Sequence, residues 1–344
     1  GFKGGLYTFR SENSSKQWAT SYDFASIDAG HVVKTELPDG NLAMAQAYVF
    51  NMRREKFQDR RVREALAMMF NFEWSNAQLF YGLYKRVQSF WGNSELEARG
   101  VPTEGERAVL QPLVDQGLLS AEILTDEAVM APVSGQRQLD RKNLRRASQL
   151  MDEAGWRVNA DGMREKDGQV FTLEVLDSSP AFDRITNPMI ENMKALGIDA
   201  RLNRVDTAQE SERTRAYDFD VTTHSMRMSF EPSSGLEQYF GTKAMDQSSR
   251  NLMGLSDPAV DALIEKVVRA QSKAELNTNI RALDRVLRAK RFWIPQWFKA
   301  VHTVAYYDQY GHPDPLPPFA RGELDFWWFD AEKAAKLEAA GVLN

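Results

Sequence analysis

The chain has 344 residues, a formal net charge of −5 and no cysteine. The missing thiols exclude disulfides, thiolate metal sites, Fe–S clusters and cysteine nucleophiles. The mild acidity gives no support for a nucleic-acid or anionic-membrane partner, and no apolar run is long enough to span a membrane. At about 150 residues per domain the length predicts two to three domains.

Residues 1–40 carry weak periodicity and end in the turn formers Leu37-Pro38-Asp39-Gly40. Ala47 to Met52 reads as a strand, rich in aromatic and β-branched residues. A basic run follows (Arg53, Arg54, Lys56, Arg60, Arg61, Arg63), which reads either as an anion site or as a solvated face. Asp59 precedes Val62, Ala65, Leu66, Met69 and Phe70, whose spacing places them on one stripe of a helix. A short helix is expected from Ser75 to Tyr81, stopping at Gly82, then irregular chain over 83–103. Thr103-Glu104-Gly105-Glu106 matches a capping box.

Asp140 can cap a helix with an apolar face of Leu144, Ala147, Leu150 and Met151, terminated by Gly155. Asp161-Gly162 and Asp167-Gly168 are hairpin signals, so a small meander is expected before the strand 169–176. A helix over 182–196, a strand over 198–205, a polar helix over about 207–216 and a strand over 219–224 follow. This alternation implies an α/β layer arrangement. Two long helices, Pro258–Gln271 and Lys273–Arg288, precede strand-like segments at 293–298 and 301–307, a Pro-rich stretch and the aromatic run Phe326-Trp327-Trp328-Phe329.

The usual catalytic signatures are missing. There is no Gly-rich dinucleotide or Walker loop, no H-E-x-x-H and no G-x-S-x-G elbow. His31, His224, His302 and His312 are far apart in sequence, and none has a neighbour at metal-ligand spacing. No catalytic residue, metal ligand or cofactor is therefore assigned, and the chain reads as a non-enzyme. The 37 aromatic residues (19 Phe, 8 Trp and 10 Tyr) fill a core first, and a few in loops suit a recognition cleft.

Several segments together carry a resemblance. Phe50-Asn51, Phe57-Gln58-Asp59, Arg61 to Ala67 and Asn71-Phe72-Glu73 form the first. Leu150 to Trp156 with Asp161-Gly162 and Asp167-Gly168 form the second. Asn251 to Gly254 with Asp257 to Ile264 form the third. In this order they resemble the periplasmic oligopeptide- and dipeptide-binding proteins, the family-5 solute-binding components of ABC importers. Tyr84 to Phe90, Asn93 to Leu96 and Trp327-Trp328 look most like the YejA-like branch.

The resemblance implies an α/β periplasmic binding protein-like class II fold, with ligand held between two lobes and delivered to an inner-membrane ABC permease. The Phe50-Asn51 motif lies near the start of this chain, whereas the family places it near the middle. The expected content is thus one complete lobe plus segments of the other: 1–45 from the first lobe (domain I), 46–300 as the second lobe (domain III), and 301–344 as a C-terminal return. The same resemblance implies a periplasmic protein whose signal peptide is absent from this chain, and weak or no ligand binding by this portion alone.

Family peptide binders lay an extended segment along the ligand and pair an aspartate with its α-ammonium. The matching segment is His224-Ser225-Met226-Arg227-Met228-Ser229-Phe230-Glu231-Pro232, with Met228 at the aspartate position. Methionine cannot pair with an ammonium, so the expected ligand is a peptide with a blocked or distant amine. Arg227 either faces a carboxylate or phosphate of the ligand or points to solvent. The candidate ligand-binding residues are Asn51, His224, Ser225, Met226, Arg227, Met228, Ser229 and Trp297. Two further readings stay open: an enzyme acting on glycans or glycopeptides in an aromatic cleft, and a binder of a sugar, an opine-like compound or a nickel complex.

Overall fold

The computed structural model describes residues 1–342. The chain folds as two units. The first comprises residues 1–41, 76–85 and the chain from Lys299 onward; the second comprises Leu42–Ser75 and Arg86–Phe298.

The second unit is built on a five-stranded sheet. Its strands are β1 (Ala45–Phe50), β2 (Thr172–Asp177), β3 (Asp199–Arg204), β4 (Val221–Met226) and β5 (Trp293–Pro295), in the order β5-β1-β4-β2-β3. β4, β2 and β3 run parallel, with Val221 opposite Val175 and Leu173 opposite Ala200. β1 runs against both neighbours, pairing Tyr48 with Thr223 and with Ile294. The carboxyl ends of β2, β3, β4 and β5 therefore share one end of the sheet, and β1 runs the other way.

Both faces of the sheet are covered. The principal helices are α1 (Arg60–Ala67), α2 (Glu104–Asp115), α3 (Arg141–Glu153), α4 (Asp183–Ala195), α5 (Pro258–Arg269) and α6 (Lys273–Ala289). Ala45, Ala47, Val49, Leu176 and Met226 on one face join a core with Leu263, Ile280, Leu283 and Leu287 of α5 and α6. On the opposite face Tyr48 meets Phe70 at 5.8 Å and hydrogen-bonds Thr186 of α4 at 2.8 Å.

Local chemistry sets the element ends as expected. Asp59, Asp140 and Asp257 accept N–H groups from the first turns of α1, α3 and α5. Pro258 sits at the first helical position, where a missing N–H costs nothing. Asp167 and Gly168 both have positive φ, the requirement of a tight hairpin joining Arg164–Lys166 to Gln169–Val170. The capping box is only half formed. Thr103 Oγ1 accepts the Glu106 N–H at 3.2 Å, but the Glu106 carboxylate turns into the core to hold Arg285 at 2.9 Å and Arg281 at 3.1 Å.

The basic run is not a free anion site, since five of its six members are engaged, although Arg54, Arg60 and Arg61 remain exposed. Arg53 stacks on Tyr217 at 3.7 Å and donates to Asn51 Oδ1 and the Leu252 carbonyl. Lys56 holds Asp220, Arg54 holds Asp218 and Arg61 holds Asp59. Arg63 is buried and donates to the carbonyls of Phe57 (2.5 Å), Gln58 (2.9 Å), Lys290 (2.7 Å) and Arg291 (3.2 Å).

The first unit is smaller. Phe9–Ser11, Val301–Tyr307 and Val32–Pro38 form an antiparallel sheet with Val301–Tyr307 in the middle. Phe2, Trp18, Tyr22, Tyr307 and Leu337 pack together beneath it. Leu337 belongs to a helix, Ala331–Ala339, which Asp330 caps and which lies beyond the aromatic run. No helix among the described residues is long and apolar enough to cross a membrane.

Arg63 links the start of α1 to the end of α6, so Arg63→Met leaves four carbonyls, buried or part-buried, short of a donor. Urea unfolding of that variant is expected to show a loss of about 2–4 kcal/mol. A loss below about 0.5 kcal/mol would mean that the link carries no weight.

Candidate functional site

Parallel strands with helices on both faces leave one natural place for a ligand, the crevice at their carboxyl ends, where loops diverge. Here that end carries Asp177 to Phe182 after β2, Arg227 to Phe230 after β4, and Gln296 with Trp297 after β5. It contains most of the residues singled out from the sequence.

β4 and its continuation alternate as an extended chain must. Met226 is fully buried in the core and Met228 packs against it, whereas Ser225, Arg227 and Ser229 are exposed. Met226 is therefore a core residue, and the polar members of the segment present outward. Arg227 makes no hydrogen bond or ion pair among the described residues. Ser229 is held by its carbonyl, which accepts the Trp91 indole N–H at 3.1 Å, and its hydroxyl accepts the Glu231 N–H. Beyond Thr222 the edge of β4 that faces β2 has no strand partner, because the ladder ends at Thr222 opposite Leu176.

His224 is half-buried, and its Nε2 donates to the Arg250 carbonyl at 3.0 Å. Burial pulls its pKa below the ordinary histidine value, outweighing the carbonyl bond. Trp297 is half-buried and stacks on Phe182 at 5.7 Å with Phe70 at 6.3 Å, forming an aromatic ladder at the same end.

Asn51 is not part of this group. It follows the carboxyl end of β1, about 20 Å along the strand from Ala45 at 3.4 Å per residue. Its amide donates to the Tyr217 and Phe219 carbonyls and accepts from Arg53, so its polar capacity is used in fixing that turn.

Further residues at this end, which the sequence did not single out, share one property. Eight described side chains have buried polar atoms without a hydrogen-bond partner, and five of them lie at this end of the sheet: Arg86, Asp177, Arg204, Thr223 and Gln296. Asp177 accepts from Ser179 and Arg204 through Oδ1 and leaves Oδ2 unpaired. Gln296 is fully buried with its amide against the Tyr48 hydroxyl, and neither amide atom makes a hydrogen bond of regular geometry. Natural folds pair the large majority of buried polar groups, so this concentration makes the carboxyl end of the sheet the candidate site. No local sequence signal distinguishes these residues, because pairing is a property of the fold. Among the described residues no cluster of three or more histidines and carboxylates is placed to hold a metal ion.

Comparisons with known proteins agree with this architecture. Residues 2–247 match the family model described as bacterial extracellular solute-binding proteins, family 5 Middle. The chain is 41% identical over 331 residues to the probable peptide-binding protein YejA of Agrobacterium fabrum, covering 95% of this chain and 53% of that protein. It is 34% identical to YejA of Escherichia coli K12, covering 98% of this chain and 56% of that protein. The chain thus spans about half the length of the curated relatives it matches. The Bacillus subtilis oligopeptide-binding protein AppA, solved with a nonapeptide, superposes with a TM-score of 0.68 at 15% identity, covering 95% of this chain and 57% of AppA. The fold is that of the periplasmic binding proteins.

The neutral His224 carries a prediction. Its folded pKa lies below its unfolded value, so its stabilising contribution is complete above about pH 6.5 and is lost as pH falls through the folded pKa. Unfolding midpoints in urea at pH 7.5 and 5.5 should differ less in His224→Gln than in the wild type. An unchanged difference would show that burial of this ring does not govern the acid response.

Proposed function

Because the chain belongs to the bacterial extracellular solute-binding proteins of family 5, a group of binding proteins and not enzymes, we propose that it supplies the ligand-recognising part of an ABC importer's periplasmic binding component, with a peptide-like solute as cargo and an inner-membrane permease as partner. The sheet-bearing unit corresponds in this reading to the second lobe expected over 46–300. Residues 76–85, expected in that lobe, fall instead with the other unit, whose segments 1–41 and from Lys299 onward correspond in this reading to parts of the first lobe.

The observation that supports it best is the set of unpaired buried polar groups at the carboxyl end of the sheet, next to an unpartnered stretch of β4. A peptide is the ligand class that can use both. Its backbone can extend the sheet along Thr223 to Met226, and its side chains can meet alternate positions. Ser225, Arg227, Ser229 and Trp297 are the side chains that contact it, and His224 contributes as a neutral donor–acceptor edge. Met226 and Met228 form the floor beneath. Asn51 serves the fold of the lobe.

Ligand binding and lobe closure then form a single equilibrium. Ligand favours the closed form by its extra contacts there, and the permease reads closure.

With Met228 at the position where an aspartate would meet an α-ammonium, a free amino terminus has no carboxylate waiting for it. Calorimetric titration of the full protein with a pentapeptide and with its Nα-acetylated form is expected to give dissociation constants within about threefold of each other. A tenfold or greater loss on acetylation would contradict the proposed mode. Mass spectrometry of the recovered ligand separates this function from catalysis, since a binding protein returns the peptide intact.

A further inference from the structure

Among the described residues every buried arginine but one finds acceptors for its guanidinium. Arg63 donates to four carbonyls. Arg164 donates to the Leu196 and Trp156 carbonyls and to Ser148 Oγ. Arg285 meets Glu106 and the Gly100 carbonyl, and Arg288 meets the Val129 and Ala98 carbonyls with Asp284. Arg86 is the exception. It is 9% exposed, and its Nε, Nη1 and Nη2 are all buried without an acceptor.

Its surroundings are aromatic. The guanidinium lies 4.8 Å from the centre of the Phe70 ring and 5.5 Å from that of Phe72. Stacking on rings recovers part of the lost hydration but satisfies none of the five N–H donors. Glu73 is the carboxylate whose field it feels, yet it is not within ion-pair distance and accepts the Ser134 N–H instead. Burial brings the Arg86 pKa down to about 10, so the group remains a cation at neutral pH. An uncompensated buried charge is among the most destabilising features a fold can carry.

The position is not arbitrary. Arg86 belongs to the short strand Lys85–Arg86 that pairs with Trp297–Phe298, and the next residue, Val87, donates its N–H to the Gln296 carbonyl at 3.2 Å. Phe70, which Arg86 covers, touches both Trp297 and Tyr48. Phe182 and Trp297 are half-buried, so the ladder Phe182–Trp297–Phe70 runs from the surface inward to the cation.

We propose that Arg86 is the carboxylate-reading residue of the ligand site: a carboxylate of the peptide-like ligand passes the Phe182–Trp297 pair and takes the fork of the guanidinium in a two-point hydrogen bond. A planar carboxylate matches that fork, and the desolvated site makes the charge-assisted pair strong. This assignment rests on the peptide reading above and adds to it the group by which the ligand is recognised. The carboxylate is either the chain terminus of the ligand or an acidic side chain, and both use the same chemistry.

Three probes separate the cases in the full protein: Ala-Ala-Phe-Ala-Ala as the free acid, the same peptide as its C-terminal amide, and the amide with Glu replacing the fourth residue. Calorimetry on the wild type should show at least one acidic probe binding ten- to hundredfold tighter than the neutral amide. Preference for the free acid assigns the terminus, and preference for the Glu amide assigns a side chain. In Arg86→Met the acidic and neutral probes should converge to within about twofold. The urea midpoint of unliganded Arg86→Met should equal or exceed that of the wild type, because the replaced cation has no acceptors to lose. Equal binding of all three probes by the wild type, a preference that survives in Arg86→Met, or a lowered midpoint in that variant would each overturn the assignment. Failure of every probe to bind the wild type would instead overturn the peptide reading beneath it.

Discussion

A polar group taken out of water must find a partner in the protein, in water or in a ligand, and the second unit of this chain is organised by that constraint. Glu106 abandons its helix N-terminus to hold Arg285 and Arg281, Asp284 gathers Ser89, Phe90, Ala98 and Arg288, and Asn51 ties a turn to its neighbour strand. Where the rule is obeyed, the structure is scaffold. Where it is met least, around Asp177, Thr223, Gln296 and Arg86, lies the candidate site.

Strand direction explains why these failures gather in one place. Parallel β2, β3 and β4, with β5 in the same sense, bring four carboxyl ends together, and β1 alone runs against them. Loops that leave those ends need not pair with one another, so their polar groups stay available. Alternation along β4 then sorts the candidate residues. Ser225, Arg227 and Ser229 look outward, and Met226 and Met228 anchor the strand to the core.

Much of the fold is legible in the sequence. Asp59, Asp140 and Asp257 announce three helices because a short acidic side chain satisfies orphan N–H groups, and Gly155 and Gly197 end helices in the positive-φ geometry that suits glycine. The apolar stripe of α6 is equally plain. The N-terminal segment and the helix Ala331–Ala339 are less so, since short elements with mixed burial carry little periodicity. The site is the least legible part. The segment 224–229 is reached through family resemblance, and which of its residues face outward follows from register. Arg86 has no mark at all, because a buried cation and a solvated one look alike until the acceptors around them are counted. Asn51 shows the converse, since the sequence alone does not reveal that the polar groups of a motif residue are used in fixing a turn.

The central claim is that ligand engages the carboxyl end of the sheet. Hydrogen–deuterium exchange of the full protein with and without saturating pentapeptide tests it most directly. Slowed exchange confined to Thr223–Ser229 and to the segments around Arg86 and Gln296–Phe298 is the predicted result. Protection that instead centres on Asn51 to Arg63, at the opposite end of the sheet, would contradict it.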